Sequence, residues 1–413
     1  MIFKDSCQVV GDFFQTIMIF GGLAAMFVYR DFFSKNVVFW LLLIGCLIQL
    51  VSWFASTMTI PELAQPYPNV KPFSYLMVFL VVAFWLKGSV KRSILTLFAF
   101  SIGSLFTLFY YSDFTTQFMN GMHGSRVDFG YRNAQHGSLI IGASFIFVFW
   151  WLYVLVPQKI NKKELAITSL LLFLVFLGAL LMMLQSRQSW LALIITIFFS
   201  PWLYAFFIDK LSPRKITICY MIILLIGFAI YHIDFVSSRI YAGFTHSGDL
   251  HNILSGNWRE VKDLSIGIRL QTWREAINWF GVHPIFGTGD GSRSLVITQS
   301  TVLPEFIKAE FRHLHNSNFE TAVSYGIAGI IFTYILMIYP VYKTVTSDAP
   351  VIIKGVAISF LIYWLIINNF ESFLYMRSGQ WVFNAFMGAV YTFSLYGDFV
   401  EYQRCKRLGG GML

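Results

Sequence analysis

Apolar runs closed by short polar islands recur along almost the whole chain. Eleven of them cover residues 12 to 29, 36 to 55, 72 to 86, 93 to 111, 138 to 156, 165 to 185, 189 to 207, 216 to 231, 318 to 340, 351 to 367 and 380 to 396. A helix needs about 20 mostly apolar residues to cross a bilayer, and a lone segment in hydrocarbon must satisfy its backbone internally, as a helix does. Each run therefore predicts a transmembrane helix; those at 72 to 86 and 216 to 231 are short. The expected fold is all-α, a polytopic integral membrane helix bundle of about 11 to 12 transmembrane helices with one large loop holding short helices. Residues 1–231 would form an N-terminal bundle of about eight helices, 232–316 the loop, and 317–413 about three further helices and a tail.

The loop breaks the pattern. Its roughly 85 residues carry eight basic and eight acidic side chains and six of the eight histidines. Residues 267 to 280 have helical periodicity, with Ile268, Trp273, Ala276, Ile277 and Phe280 able to share one broad face. This predicts an amphipathic helix along the membrane surface or over the bundle, its tryptophans at headgroup level. The run from His283 to Gly291 then breaks the helix in a glycine-permitted turn; with no lysine or strand beside it, it reads as loop geometry and not a nucleotide loop.

Composition agrees with the pattern: 57% of residues are hydrophobic and only 12% charged. Basic residues in short loops favour the cytoplasmic side. Alternate connections hold Arg30 and Lys35; Lys87, Lys91 and Arg92; Lys159, Lys162 and Lys163; Lys210, Arg214 and Lys215; Lys343 and Lys354; and Arg404, Lys406 and Arg407, sixteen of the thirty basic residues. The C-terminus is thus expected inside, and eleven spans would leave the N-terminus outside. The net charge of +9 follows from this topology and from attraction to anionic lipids, with no basic stripe for nucleic acid. Cys7, Cys46, Cys219 and Cys405 have neither disulfide nor metal-type spacing. The first run lacks a cleavage pattern and reads as an anchor.

All eight histidines fall on the expected outer face, where imidazole can exchange protons near neutral pH. The polar cluster from Arg312 to Asn316 stands directly before an apolar run, and Gln185, Ser186 and Arg187 interrupt apolar sequence at a comparable boundary. Ionisable groups at such depth are costly, which makes them candidates for function. A guanidinium such as that of Arg187 suits a diphosphate through its planar fork; the alternative is a snorkelling interfacial arginine. Arg269 and Arg274 offer cations near the surface, or pair with Asp263 or Glu275. His315 is a candidate general base for an acceptor hydroxyl, with His313 beside it. Two histidines at i, i+2 are a weak metal signal, so no metal is expected. Asn368, Asn369, Glu371 and Arg377 in the last outer connection, and Arg126, Asp128, Arg132 and His136 in the earlier one, read as sugar or phosphate contacts or as plain polar loop.

Two short patterns carry a resemblance. Arg187 to Leu191 has the form Arg-x3-Leu, and His315-Asn316 followed by Gly326 and Gly329 has the form His-Asn-x9-Gly-x-x-Gly. Both resemble signatures of the O-antigen ligases. The Ile268-Arg269-Leu270 helix and the turn after Pro284 resemble the wider superfamily of O-antigen ligases, O-antigen polymerases and O-linked oligosaccharyltransferases. The resemblance implies a GT-C-like membrane glycosyltransferase in the bacterial inner membrane, multi-pass, its site facing the periplasm. It would move polysaccharide from undecaprenyl diphosphate to the lipid A-core, with inversion and without metal or cofactor. Arg187 and Arg269 would bind the diphosphate and His315 would act as base, supported by His313; Arg274, Asn316 and Arg312 are further candidates for donor or acceptor contacts. The implied partners are the lipid-linked O-antigen, the lipid A-core acceptor and membrane lipids. The family has about twelve spans against eleven here, so either a first helix is missing or residues 1 to 12 form a stunted one. A transporter of lipid-linked sugars is the distant alternative, but the spans are nearly free of mid-membrane charge.

Overall fold

The computed structural model describes residues 7–156, 163–207, 212–244 and 265–408, and among them every regular element but short turns is a helix. All eleven apolar runs are helical. In chain order the described helices are α1 (Gln8–Val28), α2 (Arg30–Phe33), α3 (Val37–Thr59), α4 (Lys71–Leu76), α5 (Val78–Leu86), α6 (Val90–Tyr110), α7 (Phe114–Met122), α8 (Ala134–Leu155) and α9 (Lys163–Leu184). There follow α10 (Arg187–Phe207), α11 (Pro213–Tyr231), α12 (Asp234–Phe244), α13 (Ser265–Val282), α14 (Ser292–Thr298), α15 (Glu305–Glu310), α16 (Ser317–Thr346), α17 (Val351–Ile367) and α18 (Arg377–Arg407). Seven of them are long and apolar enough to cross a membrane: α1, α3, α6, α8, α9, α11 and α16. The chain is an all-α polytopic membrane protein. Of the proposed stunted helix, residues 1–6 lie outside the described residues and 8 to 12 belong to α1.

The packed centre is made by α5 against α18, α10 against α17, and α8 against α9 and α17. Trp150, Tyr363, Trp364 and Tyr391 are fully buried there. At the other extreme α11 buries no residue, and Met221, Leu224, Leu225 and Phe228 stand exposed. An all-apolar helix without protein cover is stable only with hydrocarbon around it. The short third run is split at Met77, and the split is stitched by one buried side chain: Asn384 Oδ1 accepts from Phe79 N at 2.7 Å and its Nδ2 donates to Tyr75 O at 2.7 Å. A broken helix inside a bundle needs such partners for the freed backbone groups.

Helices α13, α14 and α15 form a second small core over the start of α16, built from Ile268, Ala276, Val296, Ile297, Ile307, Leu314 and Val323. Helix α13 does lie over the bundle, but its buried stripe runs through Ile268, Thr272 and Ala276, and Ile277 is 57% exposed. The reason is the i, i+4 register of the contact with α16, which turns Ile277 away. The tryptophans also point inward: Trp273 Nε1 donates to Leu314 O and Trp279 Nε1 to Thr288 Oγ1, each at 2.7 Å.

The turn after His283 locks onto α16 where that helix breaks. Gly326 has φ +63° and ψ −158°, so the break exposes backbone groups on both sides. Thr288 N and Gly289 N donate to Val323 O and Ser324 O at 3.1 and 2.9 Å, while Ile327 N and Ala328 N donate to Pro284 O and Ile285 O at 2.8 and 3.1 Å. Ser52 of α3 joins in, donating to Ser324 O and accepting from Gly289 N. A Cβ on Gly326 would collide with the Ile285 carbonyl. Gly326→Ala is therefore expected to cost roughly 2 to 4 kcal/mol, read as a lower thermal unfolding midpoint of the detergent-solubilised protein; an unchanged midpoint would contradict the lock.

Candidate active site: an arginine cluster beside a His–Glu pair

His315 stands at the junction of the loop and α16 with φ +50°. For a side chain with a Cβ this left-handed conformation is uncommon and persists only where surroundings enforce it. They do so on both sides. Leu314 is buried and its N–H donates to Glu320 Oε1 at 2.9 Å. Asn316 caps α16, its Oδ1 accepting from Asn318 N and Phe319 N, and its Nδ2 donates to Asn369 O at 2.9 Å. Ser317 N donates to Asn368 O at 2.8 Å. The start of α16 is thus sewn to the connection between α17 and α18, and the asparagines are engaged in this seam.

The seam brings Glu371 to His315. The imidazole Nδ1 lies 3.0 and 3.2 Å from the two carboxylate oxygens, and His313 Nε2 lies 3.5 Å from Oε1, the two rings 4.0 Å apart. Glu371 is buried. Burial raises its carboxyl, but hydrogen bonds from His313 and His315, the His315 charge and the Ser372 N–H outweigh that and hold it well below the usual carboxylate range. With Nδ1 facing the ionised carboxylate, Nε2 is left with a lone pair.

Gln135, at the start of α8, bridges this pair to Arg269. In the amide orientation that satisfies both neighbours, its nitrogen donates to Glu371 Oε2 and its oxygen accepts from Arg269 Nη2 at 3.2 Å. Arg269 is in turn electrically coupled to Glu371 and Arg187, and Arg126 to Arg239, Arg187 and Arg269. Burial, then the charges of Arg239, Arg187 and Arg269, push Arg126 below the ordinary arginine value, and burial with a smaller push from Arg187 does the same to Arg269 against the pull of Glu371. Such a cluster invites an anion. Arg187 opens α10 after Gln185, which is held at φ +48° and whose Nε2 donates to Gly124 O at 2.8 Å.

The structure therefore brings Arg187, Arg269, His313 and His315 to one end of the bundle. Arg274 is half-buried on α13. Arg312 is exposed and its guanidinium donates to Lys308 O and Phe311 O, closing the end of α15. Donor atoms of His313, His315 and Glu371 lie within 4.8 Å of one another and have the chemistry of a metal-ligand set; the adjacent guanidinium charge opposes a cation there. Asp263, one suggested partner of Arg269, lies outside the described residues. No local pattern pairs Glu371 with His315, and none singles out Gln135 or Arg239. A second buried network props the loop: Arg293 contacts Asp290 at 2.9 Å, Glu320 at 3.6 Å and the Tyr375 ring at 4.4 Å.

A helical membrane bundle with guanidiniums and a His–Glu pair at one end is a protein that can hold an anion next to a proton acceptor. Residues 170–334 match a family model described as O-antigen ligase, so that part of the chain is similar to the O-antigen ligases. The matched segment contains Arg187, Arg239, Arg269, His313, His315 and Gly326; Arg126, Gln135 and Glu371 lie outside it. No curated protein matches the chain.

Proposed function

We propose that the protein is an O-antigen ligase, transferring polysaccharide from undecaprenyl diphosphate to a sugar hydroxyl of the lipid A-core on the periplasmic face of the inner membrane. The observation that carries this reading is the Gln135 bridge, which sets Arg269 beside the Glu371–His315 pair. It puts a leaving-group site and a base within reach of one sugar. The acceptor oxygen would attack the anomeric carbon as its proton passes to His315 Nε2. The bond from that carbon to the diphosphate oxygen breaks, and its electron pair stays on the diphosphate. Arg187 and Arg269 stabilise that developing charge, in a setting partly shielded from water where fixed cations act strongly. Glu371 holds the imidazole and stabilises the imidazolium. Attack opposite the leaving group inverts the anomeric centre.

The test is gel analysis of lipopolysaccharide and of the undecaprenyl-linked pool in a strain lacking the gene, complemented with wild type, Arg187→Ala, Arg269→Ala or His315→Ala at matched membrane levels. Long polymer left on the lipid carrier, with bare core in the strain and in all three variants, is the expected result. A core bearing one repeat unit would instead make the protein an O-antigen polymerase. Normal ladders would remove both readings and favour transfer to protein, as in an O-linked oligosaccharyltransferase, or transport of the lipid-linked sugar.

A further inference from the structure

The two arginines singled out by the motifs have company. Arg126, from the connection before α8, and Arg239, on α12, reach the same cluster. Their positions are built. Arg126 Nε donates to Leu184 O at 3.4 Å, Val127 N donates to Met183 O at 3.4 Å, and Gln185 Nε2 holds Gly124 O. Gly124, at φ +85°, packs on Phe235 of α12. Arg239 Nε is buried with no hydrogen-bond partner among the described residues. A buried guanidinium N–H left unpaired is costly, so Arg239 is suited to take an anionic acceptor.

Beside Arg239 opens a cavity of about 860 Å³ between α7, the end of α9 and α12. That is within the usual range for small-molecule sites, roughly 300 to 1,000 Å³. Ala179, Met182, Met183 and Phe235 give it an apolar wall; Gln185 and Arg239 also line it, and Asp234 is the one acid among its described lining residues. The acids coupled to Arg126 and Arg269 are Asp128 and Glu371. A largely apolar cavity with the Arg239 guanidinium in its wall fits an amphiphile with an anionic head, and unbranched methionines conform to irregular hydrocarbon.

We propose that Arg126 and Arg239 join Arg187 and Arg269 in holding a lipid diphosphate, and that the cavity beside Arg239 takes the first isoprene units of its tail. This rests on the reading of the donor as a polyprenyl diphosphate. The cavity sets the tail at one end of the cluster, and Arg269 sets the sugar-bearing end toward His315.

The experiment measures binding of farnesyl diphosphate, farnesol and inorganic diphosphate to the full chain in lipid nanodiscs. Arg239→Gln and Arg126→Gln should each weaken farnesyl diphosphate roughly tenfold, with Arg239→Lys recovering part of the loss and unfolding midpoints unchanged. Ala179→Phe, which fills the cavity, should remove the advantage of farnesyl diphosphate over inorganic diphosphate without weakening the latter; Met182→Phe serves the same end if the first variant does not fold. Unchanged affinity in both glutamine variants, alongside a loss in Arg187→Ala, would overturn the proposal and leave the donor reading standing. Wild type that binds farnesyl diphosphate no better than farnesol would overturn both.

Discussion

Glu371→Gln should lower the transfer rate by about two to three orders of magnitude while leaving the affinity for farnesyl diphosphate within a fewfold of wild type. The amide is nearly isosteric, so the effect isolates charge and hydrogen-bond direction. Both Glu371 oxygens face His315 Nδ1, at 3.0 and 3.2 Å. A carboxylate accepts there in either geometry and so fixes the tautomer with Nε2 free; an amide can present its NH2 instead and turn the imidazole the wrong way. It also loses the negative charge that would stabilise the imidazolium formed as the acceptor loses its proton. Loss of activity together with loss of donor binding would point to a merely structural role.

The same residue predicts an acid dependence of stability. The Glu371 carboxyl is held below its ordinary value of 4.5, so in the folded protein it keeps its charge where an unfolded chain would already take up a proton. Its stabilisation is therefore fully present above the unfolded value and is lost as pH falls through the folded one. The difference in unfolding midpoint between wild type and Glu371→Gln should shrink as pH falls below about 5. A gap that opened on acidification would reverse the assignment.

The sequence makes the helices legible because each apolar run carries its own reason to be helical in lipid, and all eleven are helical in the structure. Arg187, His313 and His315 draw attention for a related reason, since a polar island next to an apolar run has to be accounted for, whereas Arg269 is marked by the Ile268-Arg269-Leu270 resemblance. What stays hidden is pairing across the chain. Glu371 and His315 are 56 residues apart, and nothing local distinguishes Glu371 from Asn368 or Arg377 around it. Gln135 looks like ordinary polar sequence after the Asn133 cap of α8. Arg126 comes from the connection before α8 and Arg239 from α12, and only the folded chain sets them together. On α13 periodicity defines a broad stripe that includes Ile277, and the contact with α16 selects a narrower one that leaves it exposed. Gly326 and Gly329 could be read as a motif, but the use of Gly326, a helix break that accepts the turn after His283, exists only in three dimensions.

Arg269→Ala should be the most damaging single change at the anion site, with a loss in transfer of about 10³-fold, and Arg269→Lys should recover little of it. Arg269 has two tasks that need a planar fork. One Nη donates to the Gln135 oxygen and so keeps the Gln135 nitrogen on Glu371, while the guanidinium charge is coupled to those of Arg187 and Arg126. Lysine is a point charge on a flexible stem and cannot make both contacts at once in fixed directions. Alanine leaves Gln135 without its donor, so it loosens the bridge to the His–Glu pair as well as removing a cation from the leaving group. The split between these effects is measurable with a donor whose leaving group departs more readily. Such a donor should rescue Arg187→Ala more than Arg269→Ala, because only Arg269 also supports the base. Equal rescue would mean that Gln135 transmits nothing and that Arg269 acts on the diphosphate alone.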